Sequence, residues 1–231
     1  MTVSRRSVLG MLGASALATG FGVSQARAGG AEGGPQVSPD QALAMLRKGN
    51  AEYLSGKYDA SLSNNARRLE IARGQKPFAV VVGCSDSRVA PEILFGRGLG
   101  ELFVIRIAGN TVDDAALGSI EYAVAELGAP LVVVLGHERC GAVAAAVNIV
   151  QNNTVYPGAI SDMVEPIVPA VLAVRGKSGD TLDNAVRENV RRVVARLKIS
   201  GELLQGPLAA GNLKIVGARY DLEDGKVDFI S

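Results

Sequence analysis

The sequence predicts an α/β fold: a mainly parallel central sheet with helices on both faces, a C-terminal antiparallel edge strand and an N-terminal helical arm. Three observations carry this. Short, uninterrupted apolar runs recur, each closed by glycine or polar residues, as expected of parallel strands buried on both faces. Segments with apolar residues at helical spacing stand between them, the alternation that builds right-handed crossover units. Near the end, Asp224-Gly225 marks a hairpin turn that would add an edge strand. With 231 residues, 48% of them hydrophobic, the chain can bury a sizeable core.

The first 28 residues read as an address rather than as fold. Arg5 and Arg6 precede an uncharged run from Ser7 to Ala26, and Ala26-Arg27-Ala28 offers the small-x-small pattern of a cleavage site. The start resembles a twin-arginine export signal, with Val8 where that signal usually has Phe and Gly10 where it has a basic residue. A membrane anchor is the competing reading, disfavoured by the glycines and modest hydrophobicity of the run. Cleavage after Ala28 and a periplasmic or otherwise extracytoplasmic location without stable membrane association are therefore expected. Losing Arg5, Arg6 and Arg27 with no acid leaves 21 basic against 23 acidic residues, a mature charge of −2.

Residues 29–37 form a Gly-rich linker, and residues 38–231 a single domain. Ser38-Pro39-Asp40-Gln41 supplies an N-cap, a first-turn Pro and a capping-box Gln, so a helix is expected from there to Lys48, ended by Gly49. A second runs over Ala66 to Arg73 and stops at Gly74. Strands are read at Phe78 to Val82, Leu102 to Ile105, Leu131 to Leu135 and Leu213 to Val216. Helices are read at Ala115 to Leu127 and Thr181 to Lys198; the latter turns Val186, Val190, Val193 and Leu197 inward and Arg187, Arg191 and Arg196 to solvent. The last strand follows the turn in Tyr220 to Phe229.

A formal charge of +1 with no basic stripe argues against nucleic acid as a partner, and 4% aromatics without Trp argue against stacking platforms. Small ligands fit better. In open parallel sheets these gather beyond the carboxyl ends of the strands, and two polar motifs fall there: Cys84-Ser85-Asp86-Ser87-Arg88 and His137-Glu138-Arg139-Cys140-Gly141. The chain's only His and both its Cys lie in these motifs.

Thiolates and imidazole suit Zn²⁺, which takes three protein ligands plus water at a catalytic site. Cys84, His137 and Cys140 supply three ligands, with His137 and Cys140 three apart at a helix start. The Asp86 carboxylate competes with water for the fourth position, and Arg88 competes for Asp86. A Cys84–Cys140 disulfide is the ordinary alternative in an exported protein. A nucleotide site is disfavoured because no G-x-G-x-x-G follows the first strand.

From about Gln41 to the C-terminus, these motifs resemble the β-class carbonic anhydrases, as do Val89-Ala90-Pro91-Glu92, Arg106-Ile107-Ala108-Gly109-Asn110 and Ile120-Glu121-Tyr122-Ala123-Val124. The resemblance implies one zinc per subunit on Cys84, His137 and Cys140, and reversible hydration of CO2 to bicarbonate by zinc-bound hydroxide. It implies that Asp86 and Arg88 orient that hydroxide in an open form, while a closed form puts Asp86 on the metal. It also places Gln75 of a partner subunit, Phe103, Tyr122 and Gly141 on the substrate side, in a homodimer or dimer of dimers wrapped by the N-terminal arm. Hydrolysis of CS2 or COS on the same scaffold, and a non-catalytic zinc- or bicarbonate-binding protein, are the alternatives.

Overall fold

In a computed structural model, which describes residues 37–57 and 59–230, five strands order as β2-β1-β3-β4-β5. These are β1 (Ala79–Gly83), β2 (Leu102–Arg106), β3 (Leu131–His137), β4 (Lys214–Tyr220) and β5 (Val227–Ile230). The first four pair in parallel and β5 antiparallel to β4. The signal segment and residues 29–36 of the linker lie outside the described residues.

The helices are α1 (Pro39–Leu54), α2 (Asn65–Glu70), α3 (Pro91–Leu94), α4 (Asp114–Ala125), α5 (Gly141–Asn152), α6 (Ala159–Val164), α7 (Val168–Ala173), α8 (Thr181–Ser200) and α9 (Glu202–Ala209). Among the described residues no helix is long and apolar enough to cross a membrane.

Strands β1 and β3 are buried along their whole length, which explains their unbroken apolar runs. Their alternate residues serve two cores. Val80, Val82, Val132 and Val134 pack with Ile120 of α4 and Val190 and Leu197 of α8. Val81, Val133 and Leu135 pack with Leu46 of α1 and with Leu94 and Phe95 at the end of α3. A third cluster, with Val143, Ile167 and Val186, closes around Cys84 and Cys140 beyond the strand ends.

The capping box on Ser38 forms as read, with Gln41 N–H on Ser38 Oγ and Ser38 N–H on Gln41 Oε1. Gly49 does not end the helix: α1 runs on to Leu54. The glycine serves close approach instead, since a Cβ there would lie 1.7 Å from the Phe95 carbonyl oxygen. The next residue, Asn50, is buried and three-fold bonded: its amide donates to Leu94 O (3.1 Å) and Gly225 O (3.0 Å) and accepts from Val227 N–H (3.0 Å). One helix thus holds α3 and the β4–β5 hairpin together.

That hairpin has the expected Gly225 in the left-handed region, at φ 76°. Its loop is longer than a two-residue Asp-Gly turn, however, because Tyr220 pairs with Val227 and Asp221 caps the amides of Glu223 and Asp224. The second arm helix splits into α2 and a 3-10 turn over Ile71–Arg73, and Gly74 leaves it extended at φ 176° rather than left-handed. The arginines of α8 are not a bare solvated face: Arg187 bonds Asp183 at 2.8 Å and Arg196 donates to Val112 O at 2.6 Å.

Alanine is worth about 1 kcal/mol over glycine inside a helix, yet Gly49→Ala is expected to destabilise the protein. Overpacking against the Phe95 carbonyl should cost a net of roughly 1–3 kcal/mol, read as a lower urea midpoint; an unchanged or raised midpoint would refute the close-approach account.

Candidate metal centre

Register brings the two polar motifs together. Strand β1 lies beside β3 with Gly83 opposite Leu135, so the residues leaving their carboxyl ends emerge side by side. Cys84 follows β1 directly, His137 is the last residue of β3, and Cys140 is the N-cap of α5. His137 and Cys140 therefore do not share a helix face, as their spacing alone implied. Between them the chain turns through Arg139 at φ 49°, and the loop is tied to the hairpin by Glu138 N–H on Tyr220 O (2.9 Å) and Arg139 on Glu223 (2.8 Å).

The ligand atoms of Cys84, His137 and Cys140 all lie within 4.8 Å of one another, and all three residues are buried. The two sulfurs are 4.0 Å apart and unbonded, so the disulfide reading fails. Two Zn–S bonds of about 2.3 Å at a tetrahedral angle put sulfurs about 3.8 Å apart, and the observed spacing accepts the ion.

His137 Nδ1 lies 2.8 Å from the Glu138 carbonyl oxygen. A carbonyl only accepts, so Nδ1 carries the proton and Nε2 the lone pair. That Nε2 is buried without a hydrogen-bond partner. An orphaned imidazole lone pair facing two thiols, its other nitrogen fixed by a carbonyl, is the arrangement a soft divalent cation completes.

Charge in the pair of thiols is uneven. Cys84 is drawn down, first by the hydrogen bond shared with Cys140, with the amides of Gly109 and Asp86 adding to it against burial. The same shared proton, then burial, pushes Cys140 up, opposed by the Val143 and Ala142 amides at the start of α5. A hydrogen bond between two sulfurs 4.0 Å apart is the contact that a bound cation would replace.

Asp86 turns to Arg88. Arg88 Nε donates to Oδ1 at 2.9 Å and Nη2 to Oδ2 at 2.7 Å, with the Arg88 backbone N–H on Oδ1 at 3.0 Å. This fork, above all, holds the Asp86 carboxyl well below the usual carboxylate range. Because its folded-state pKa is depressed, the stability this contact gives is present above the unfolded carboxylate value of about 3.9. It is lost as pH falls through the depressed value, so Asp86 is ionised at neutral pH. Its Oδ2 stands 3.9 Å from His137 Nε2, beside the ligand cluster.

The other residues named from sequence fall in three places. Gln75 is exposed, in the extended segment before β1. Phe103 of β2 and Tyr122 of α4 stack obliquely with centroids 6.4 Å apart, both half-buried. Gly141 opens α5 and is exposed next to Cys140.

Arg106 has no role legible from its place in the sequence. It ends β2 opposite Gly83 and donates from Nε to Cys84 O (3.0 Å) and from Nη2 to Asp86 O (2.6 Å). One guanidinium thus sets the path of the loop carrying both Cys84 and Asp86. Its signal in the sequence was a charged residue closing an apolar strand run, meaningful only once β2 is known to lie beside β1.

Comparison with known proteins agrees with this geometry. A family model described as carbonic anhydrase matches residues 79–227. The chain is 42% identical over 192 residues to carbonic anhydrase 2 of Mycobacterium tuberculosis, spanning 83% of this chain and 93% of that protein. It is 42% identical over 197 residues to the carbonic anhydrase of Mycolicibacterium smegmatis, spanning 85% and 96%. Among solved structures it is similar to the Coccomyxa β-carbonic anhydrase in complex with acetazolamide, with a TM-score of 0.63 and 26% identity over 82% of this chain and 85% of that one. It is also similar to the β-carbonic anhydrase CcaA, with a TM-score of 0.64 and 25% identity over 83% and 91%.

Wild-type protein is expected to carry about one zinc per chain by elemental analysis, and Cys84→Ser only a small fraction of that at unchanged circular dichroism. Arg106→Leu keeps every ligand but frees the loop, and should weaken zinc binding by about 10–100-fold in competition with a chelator; full affinity would deny Arg106 this role.

Proposed function

The chain belongs to the β-class carbonic anhydrase family, and from that premise we propose that it interconverts CO2 and bicarbonate on a zinc ion held by Cys84, His137 and Cys140, with Asp86 and Arg88 positioning the reacting oxygen. The observation that carries this is the buried, unpartnered His137 Nε2 facing two thiols, with an Arg-pinned carboxylate oxygen 3.9 Å away.

Zinc in such a site supplies positive charge that lowers the pKa of water from about 15.7 towards about 7. The protein's part is placement. Asp86, ionised and acceptor-only, takes a hydrogen bond from the attacking oxygen and turns its free lone pair towards the CO2 carbon. Arg88 bonds both oxygens of Asp86, which would keep the carboxylate charged and off a bound metal, as an open site requires. Phe103 and Tyr122 supply an apolar wall for an apolar gas, and Gly141 leaves the entrance of α5 free of a side chain. Gln75 of the partner subunit donates its amide to a CO2 oxygen, a role that its exposed position supports. The chain has one His, and it is a ligand, so the released proton leaves through water, carboxylates or buffer rather than an imidazole shuttle.

The assembly proposed is a homodimer or dimer of dimers, with the arm from Ser38 to Gly74 laid on the partner. Export is proposed through Arg5-Arg6 with cleavage after Ala28. Passage in the folded state would let both thiols take up metal before meeting an oxidising compartment.

Stopped-flow CO2 hydration by the chain starting at Gly29, with its zinc quantified, tests the activity. Asp86→Asn keeps shape and loses charge; turnover at pH 8 should fall by about 10²-fold or more with zinc retained, and unchanged turnover would remove Asp86 from the reaction. Sedimentation of the same protein should show a dimer or larger species. A monomer as active as the assembly would refute the role of Gln75.

A further inference from the structure

Behind the Cys84 sulfur stands a backbone amide: Gly109 N–H donates to Cys84 Sγ at 3.3 Å. An amide aimed at a thiolate draws density from the sulfur and fixes its direction. The loop presenting it is one 3-10 turn, closed by Asn110 N–H on Ile107 O at 2.8 Å. Gly109 (φ 71°) and Asn110 (φ 47°) are successive residues in the left-handed region, a backbone path that its surroundings must hold.

Two contacts do so. Ile167 Cδ1 and Ala142 Cβ would lie 2.5 and 3.2 Å from a Cβ on Gly109, so its open face is packed shut. From the other side Asn189 Nδ2 donates to Gly109 O at 2.8 Å. Asn189 is 2% exposed, on the face of α8 that otherwise buries Val186, Val190 and Val193. An amide is a poor choice for an apolar helix face unless its partner matters.

We propose that Asn189 is a positioning residue of the metal centre. By gripping the Gly109 carbonyl it keeps Gly109 N–H on Cys84 Sγ, and so sets both the electron density of that sulfur and its hold on the ion. The inference rests on Cys84 being a metal ligand. Without Asn189 the loop relaxes, the amide leaves, and the sulfur becomes more electron-rich and less constrained.

The test uses the chain from Gly29, loaded with zinc for release measurements and with Co²⁺ for spectroscopy, as wild type, Asn189→Leu and Asn189→Ala. Asn50→Ala serves as control, because it also removes a buried amide but has no contact with this loop. The Asn189 variants should release zinc to a chelator about 10–100-fold faster, and their sulfur-to-cobalt charge-transfer band should move to longer wavelength. Asn50→Ala should keep wild-type release and band whatever stability it loses. Asn189→Ala decides if the bulkier leucine does not fold. Wild-type release and band in the Asn189 variants, or equal changes in Asn50→Ala, would overturn the proposal. A wild type with no sulfur-to-cobalt band would instead sink the ligand assignment itself.

Discussion

Parallel pairing of β1 with β3, Gly83 opposite Leu135, leaves little freedom in where Cys84 and His137 can go. Both strands are buried on two faces, so a one-residue slip would exchange the residues facing α1 with those facing α8. The register is thereby held by the whole core. Strand β2 extends the same logic outward: its last residue, Arg106, lies opposite Gly83 and reaches the two carbonyls of the loop that carries Cys84 and Asp86.

Around that frame, each charged or polar group of the centre is held by a partner that settles its protonation or direction. The Glu138 carbonyl fixes the tautomer of His137. Arg88 fixes the charge of Asp86. The Gly109 amide and the shared proton act on the sulfurs. These partners come from different elements, and the hydrogen bonds that position the ligands are mostly to backbone. The site is therefore as rigid as the sheet ends that support it, which suits a reaction whose protein contribution is placement rather than motion.

Helix α1 shows the same economy away from the site. Gly49 lets the helix backbone touch the end of α3, and Asn50 then reaches three backbone groups on two other elements. The β4–β5 hairpin held in this way also receives Glu138 and Arg139 from the ligand loop.

Much of this was legible in the residues. Unbroken valine runs read as buried strands, helix patterns alternating with them suggested crossovers, and two Cys with one His at strand ends pointed to a metal. These are local or compositional signals, decided within a few residues of each other. What the chain alone did not decide were contacts set by approach distance. Gly49 reads as a helix stop until the Phe95 carbonyl is seen against it. His137 and Cys140 read as helix neighbours until the left-handed Arg139 separates strand from helix. Arg106 and Asn189 read as a strand end and a helix residue, because nothing in their neighbourhood in sequence shows that one meets Cys84 and Asp86 and the other Gly109. Periodicity and residue chemistry are written along the chain; a hydrogen bond between residues eighty positions apart exists only after packing has brought a side-chain amide within 3 Å of a backbone carbonyl.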